Sequence, residues 1–97
     1  MKPVKRIEII THAVELKDLL HALKDCGVSG YTVISPVTGT GERGDQLGDD
    51  LTGVSNNAYV LTLADPDGAD EIIEAIRAIL KRHGGICLVS DAQWVRH

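Results

Sequence analysis

Aromatic side chains are nearly missing from these 97 residues: there is no Phe, one Trp (Trp94) and two Tyr (Tyr31 and Tyr59). A core of this composition has to be packed from Leu, Ile, Val and Ala. Cysteine is sparse too. Cys26 and Cys87 form no Cys-x-x-Cys pair and stand in no motif with His, which suits reduced, buried thiols in a cytoplasmic protein. No apolar run approaches the ~18 residues of a membrane span, so direct membrane insertion is not expected. Met1-Lys2-Pro3-Val4-Lys5-Arg6 leads straight into a strand pattern with no apolar signal segment. Positive charge is short as well: 10 Lys and Arg face 14 Asp and Glu, for a net charge of −4. That balance argues against a nucleic-acid partner, whose phosphates require a basic face. One domain, residues 1–97, is expected at this length. Such a chain buries only about 60–65% of its unfolded surface, and subunit association is a natural way to bury more.

What is present is regular. Val4 to Ile10 alternates in the manner of a strand and carries Ile7, Ile9 and Ile10. Leu16, Leu19, Leu20 and Leu23 then recur at i, i+3, i+4 and i+7, the stripe of a helix that begins near Thr11 or His12 and ends on Gly27 as a left-handed C′ residue. Tyr31–Ile34 reads as a second strand that Pro36 stops. Ala58–Ala64 reads as a third. Asp65-Pro66-Asp67 supplies a cap and an N1 proline for a second helix. Ile72, Ile76, Ile79 and Leu80 are its buried stripe, and Gly84-Gly85 closes it. Ile86–Val89 is a fourth strand, with room to run on through Trp94. The order β-α-β-β-α-β with right-handed crossovers predicts an α+β, ferredoxin-like sandwich: a four-stranded antiparallel sheet with two helices on one face. The other face needs a cover of its own, which oligomerisation would provide.

Residues 36–57 break the regularity, with five glycines, four acids and few apolar side chains. A loop of about 20 residues inside a small domain is uncommon and tends to be functional or disordered. Residues 43–55 are expected to be mobile without a ligand, because so few apolar groups cannot offset the ordering entropy. At its start Gly39 and Gly41 flank Thr40, with Arg43 close behind. Glycines let backbone N–H groups approach an anion, the threonine hydroxyl can donate, and the guanidinium suits a phosphate or carboxylate. Plain loop flexibility is the competing explanation. Gly84-Gly85 serves either as a helix cap or as a phosphate-receiving turn beside Lys81 and Arg82; Arg96 is either a solubilising charge or a phosphate contact. Asp45, Asp49 and Asp50 lack EF-hand spacing, the four histidines show no zinc spacing, and no catalytic constellation is present.

Two segments carry a resemblance. Gly27-Val28-Ser29-Gly30-Tyr31-Thr32-Val33 after the leucine-striped helix is similar to the GVxGMTV-like turn of the PII signalling proteins. Gly39-Thr40-Gly41-Glu42-Arg43 looks like the GxG-plus-basic motif at the base of the PII T-loop. The order of elements extends the likeness over the whole chain. There are departures: residues 36–57 contain no modifiable tyrosine, the GKxGDGK phosphate loop is reduced to Lys81-Arg82-His83-Gly84-Gly85, and neither a C-terminal RxR segment nor a CxxxxC extension is present. The pattern is closer to the shortened PII-like branch linked to carboxysomes and bicarbonate transport.

The resemblance implies a trimeric, non-catalytic cytoplasmic sensor with a T-loop at about 36–57. It would bind an adenine nucleotide (ADP, AMP or ATP) between subunits and bicarbonate beside it, with no catalytic cofactor. A transporter or carboxysome-related protein would be the target of the T-loop, reporting inorganic-carbon or energy status. It places Gly30, Thr32, Gly39, Thr40, Gly41, Arg43, Gly84, Gly85 and Arg96 at the nucleotide, and Thr40, Gly41, Arg43 and Gln46 at the bicarbonate or other anion. The alternative is a small nucleotide-handling enzyme or enzyme subunit on the same fold, with the loop as a lid, although no Walker lysine motif is present.

Overall fold

Alternating Ile and charged residues make the first strand, β1, which spans Lys2–His12 in the computed structural model. Residues 1–37, 40–41, 44–45 and 56–96 are the ones the structure describes, the two short pieces by backbone alone. The first helix begins later than the periodicity predicts. β1 keeps its ladder through Thr11 and His12, which pair with Ala58 and Asn57, because Thr11 is a β-branched residue buried in the sheet. A 3-10 turn, Ala13–Glu15, follows, and α1 runs Leu16–Asp25. Gly27 takes φ 85° just past the helix end. Its N–H bonds Lys24 O at 3.0 Å and the N–H of Val28 reaches Leu23 O at 3.0 Å, the paired bonds of a Schellman cap.

Strand β2, Tyr31–Val37, runs through Pro36 rather than stopping there. Its register against the next strand shifts between Ile34 and Val37, and the Ser35–Pro36 bond is cis. Proline is tolerated because β2 is an outer strand with one unpaired edge. Within the predicted loop, β3 (Thr40–Gly41) and β4 (Gly44–Asp45) form a short antiparallel ladder of their own. β5 follows at Asn57–Ala64. The predicted cap at Asp65 is not formed: the side chain makes no capping bond and pairs with Lys2 at 2.8 Å, while a 3-10 turn at Pro66–Gly68 leads into the helix. That helix, α2, spans Ala69–His83, and β6 spans Ile86–Trp94.

The four long strands form an antiparallel sheet in the order β2-β5-β1-β6, the ferredoxin-like arrangement. Both helices cover one face. Ile7 and Ile9 of β1, Val60 and Ala64 of β5, Leu19 and Leu23 of α1, and Ala69, Ile72, Ile76 and Ile79 of α2 make the core, without an aromatic ring among them. On the opposite face the register lines up Ile34, Tyr59, Ile10 and Ile86 in one row and Thr32, Leu61, Glu8 and Leu88 in the next. Ile34, Ile86 and Leu88 are each more than half exposed there. No helix of the described residues is long and apolar enough to cross a membrane.

Candidate functional site

The predicted binding residues that the structure describes fall at opposite edges of the sheet. Gly30 directly precedes β2, Thr32 lies in it, and the Thr40–Gly41 pair follows it. Gly84 and Gly85 form the turn between α2 and β6, and Arg96 follows β6. β5 and β1 separate these outer strands, which sets β2 and β6 about 14 Å apart at the usual strand spacing. The Gly84–Gly85 turn and Arg96 are themselves at the two ends of β6, nine residues long and so about 30 Å. One chain therefore does not bring the set together. Gly39, Arg43 and Gln46 lie outside the described residues, as do Asp49, Asp50 and most of the stretch expected to be mobile.

On the β2 side, the buried hydroxyl of Thr62 donates to Gly30 O at 2.7 Å and fixes where the strand starts. Thr32 pairs with Leu61 and is exposed on the helix-free face, where its hydroxyl is available to a ligand. Further along that face, the hydroxyl of Tyr59 donates to Glu8 at 2.8 Å, and Arg6 reaches both Glu8 at 3.3 Å and Ser90 at 3.2 Å. This polar group lies among Leu61, Leu63 and Leu88. Its bond to Glu8, and burial after it, raise the pKa of Tyr59 above the ordinary phenol value.

The β6 side is held more tightly. α2 ends when the N–H of Gly84 bonds Leu80 O at 2.7 Å, and Gly84 and Gly85 turn the chain with φ of 82° and 129°. Both angles favour glycine. Gly85 also has no space for a side chain, since a Cβ would lie 2.6 Å from Ile10 O and 2.9 Å from Leu80 Cδ2. The hydroxyl of Thr11 donates to Gly84 O at 3.2 Å, and His83 Nε2 lies 3.1 Å from a carboxylate oxygen of Glu15. The sequence reading missed Thr11, Glu15 and His83: each comes from a separate element, and nothing local links them. Lys81, Arg82 and His83 occupy the last turn of α2, where they offset the negative end of the helix dipole.

Arg96 places its guanidinium carbon 5.6 Å from the ring centroid of Trp94, within cation–π range. Between α2 and β6 an open groove of about 580 Å³ is lined by Ile73, Arg77, Leu80, Lys81, Cys87 and Val89; among the described residues it includes none of the predicted site, only Lys81 near the Gly84–Gly85 turn. Cys26 and Cys87 are free and half-buried. Burial pushes both thiols up; Glu71 and Asp25 add to the effect at Cys26, and Arg77 opposes it at Cys87. Neither is an activated nucleophile.

Comparison with known proteins agrees with this fold. CPII, a nitrogen regulatory PII-like protein from Thiomonas intermedia K12 bound to ADP, AMP and bicarbonate, superposes with a TM-score of 0.84 at 23% identity, over 97% of this chain and 90% of that one. The apo form of CPII gives 0.79 at 20% identity, over 98% and 95%. A candidate PII-like signalling protein from Thermus thermophilus gives 0.75 at 23% identity, over 94% and 88%. A search of curated proteins found no match. The model of the family described as nitrogen regulatory protein P-II matches residues 4–97. With that match over nearly its whole length and the PII fold in its sheet and helices, the chain belongs to the P-II family.

Proposed function

We propose that this protein is a non-catalytic sensor whose homotrimer binds an adenine nucleotide, with bicarbonate, in the clefts between subunits. The observation that carries this reading is the split of the candidate site between the two outer strands. If β2 of one copy lies beside β6 of the next, Gly30, Thr32, Thr40 and Gly41, spread along and beyond β2 of the first, line one side of a cleft whose other side carries Gly84 and Gly85 of the second. Such a head-to-tail contact closes into a ring when its rotation allows, and three copies turned inward would cover the apolar, helix-free faces. Structural relatives bound to ADP, AMP and bicarbonate support the ligand class.

Within this reading Thr40, Gly41, Arg43 and Gln46 hold the bicarbonate, with Gly39 completing the glycine pair, while Arg96, at the far end of β6 from the turn, reaches a phosphate only from a copy other than the one that supplies Gly84 and Gly85. The T-loop, residues 36–57, carries the signal of inorganic-carbon or energy status to a transporter or carboxysome-related protein in the cytoplasm. Transmission requires that the ligand favour one loop state over another. Titration calorimetry with ADP, AMP and ATP, each with and without bicarbonate, tests the proposal. Saturable binding at one site per chain is expected, with bicarbonate changing the affinity of at least one nucleotide. A chain that binds none of them under either condition is not a nucleotide sensor.

A further inference from the structure

Glycines in a turn give the chain freedom, and a site for phosphates needs that freedom removed. The turn after α2 is restrained from three sides by groups that no motif connects. Gly85 is wedged against the backbone of β1, where a Cβ would meet Ile10 O at 2.6 Å and Thr11 Cα at 3.3 Å. Thr11, which is 2% exposed, donates its hydroxyl to Gly84 O at 3.2 Å. From the other side Glu15, its side chain 16% exposed, meets His83 Nε2 at 3.1 Å. That carboxylate joins the 3-10 turn after β1 to the last residue of α2. Pairing with His83 is what ties it down, and an imidazole protonated on Nε2 donates to it in either charge state.

We infer that Thr11 and Glu15, through Gly84 and His83, are positioning residues that hold the α2–β6 turn in the shape that receives the phosphates of the nucleotide. The inference rests on the nucleotide reading above. It assigns no ligand contact to Thr11 or Glu15; they act through the turn. The consequence is a dependence on phosphate rather than on base. Loosening the clamp lowers affinity for ADP and ATP and leaves adenosine as it was.

The test is calorimetric titration of adenosine, ADP and ATP into wild type, Thr11→Val, Glu15→Ala, His83→Ala and His83→Gln, with each variant's fold checked by circular dichroism. Thr11→Val keeps shape and removes only the hydroxyl. It and Glu15→Ala are each expected to weaken ADP and ATP about 3- to 10-fold, the effect of one hydrogen bond, with adenosine unchanged. His83→Gln, whose amide can still donate to Glu15, is expected to recover most of what His83→Ala loses. Equal losses for adenosine and ATP would show a general destabilisation and overturn the assignment. His83→Gln as weak as His83→Ala would make the imidazole itself the phosphate contact, also against it. Wild type binding all three ligands while Thr11→Val and Glu15→Ala change nothing overturns this inference alone. Wild type binding none of them removes the nucleotide reading and the positioning role together.

Discussion

Among the described residues Gly85 is the one whose identity the backbone constrains most. Its φ of 129° lies where L side chains rarely go, and the position a Cβ would take is filled by Ile10 O. Gly85→Ala therefore strains the turn and forces the end of β1 to give way. A loss of about 1–3 kcal/mol is expected, read as a lower urea midpoint with an unchanged slope. An unaltered midpoint would mean that the turn relaxes freely and is not the rigid piece described. Tyr59 offers a second measurement on one side chain. Its hydrogen bond to Glu8 raises the folded-state pKa above the ordinary phenol value. The stabilisation it contributes is thus fully present below about pH 10, the unfolded value, and is lost as pH rises through the folded value. In urea titrations at stepped pH, the stability advantage of wild type over Tyr59→Phe should be constant near neutrality and shrink above about pH 10. An advantage that stayed undiminished well above that pH would rule out this linkage.

The elements stand on a narrow apolar basis. With no Phe in the chain, α2 is held to the sheet by Ile72, Ile76 and Ile79, and Ile76 is fully buried in the core that α2 shares with α1 and the sheet. Ile76→Ala removes most of that side chain from a site with no large aromatic neighbour to collapse into the space. The expected cost is about 2–5 kcal/mol, seen as a large drop in thermal midpoint; a midpoint that barely moved would show that α2 contributes little to the fold. α2 was legible in the sequence because its 3.6-residue period survives any tertiary context. Its start was less so. Asp65 was expected to cap it, and Lys2, a residue from the far end of the chain, takes that carboxylate instead. β2 is a similar case: Pro36 stops a central strand but continues an outer one, and only the sheet order reveals which it is.

At the scale of the whole molecule the apolar rows on the helix-free face call for a partner. Ile34, Ile86 and Leu88 are more than half exposed on a face where no helix lies. Sedimentation equilibrium of the wild type at micromolar concentration should give a trimer. Leu88→Glu, placed in the row with Leu61 and Glu8, would bring like charges together on each copy and is expected to yield a folded monomer with lower nucleotide affinity. A wild type that sediments as a stable monomer would remove the basis for a site shared between copies.

The architecture could be read from local pattern alone. Period-2 and period-3.6 patterns survive the absence of any partner, and together with the right-handed crossover rule they leave few arrangements for β-α-β-β-α-β. The same local reading marked Gly27 and Gly84-Gly85 as helix ends, since a left-handed cap depends on the backbone of a few adjacent residues. Relations between distant residues had to wait for the folded chain: the clamp of Thr11, Glu15 and His83 on the α2–β6 turn, the loss of Asp65 to Lys2, and the separation of Thr32 from Gly84 by two intervening strands. Each depends on register and strand order, which bring some residues of different elements into hydrogen-bond contact and keep others well over roughly 10 Å apart, and no spacing along the chain encodes those distances.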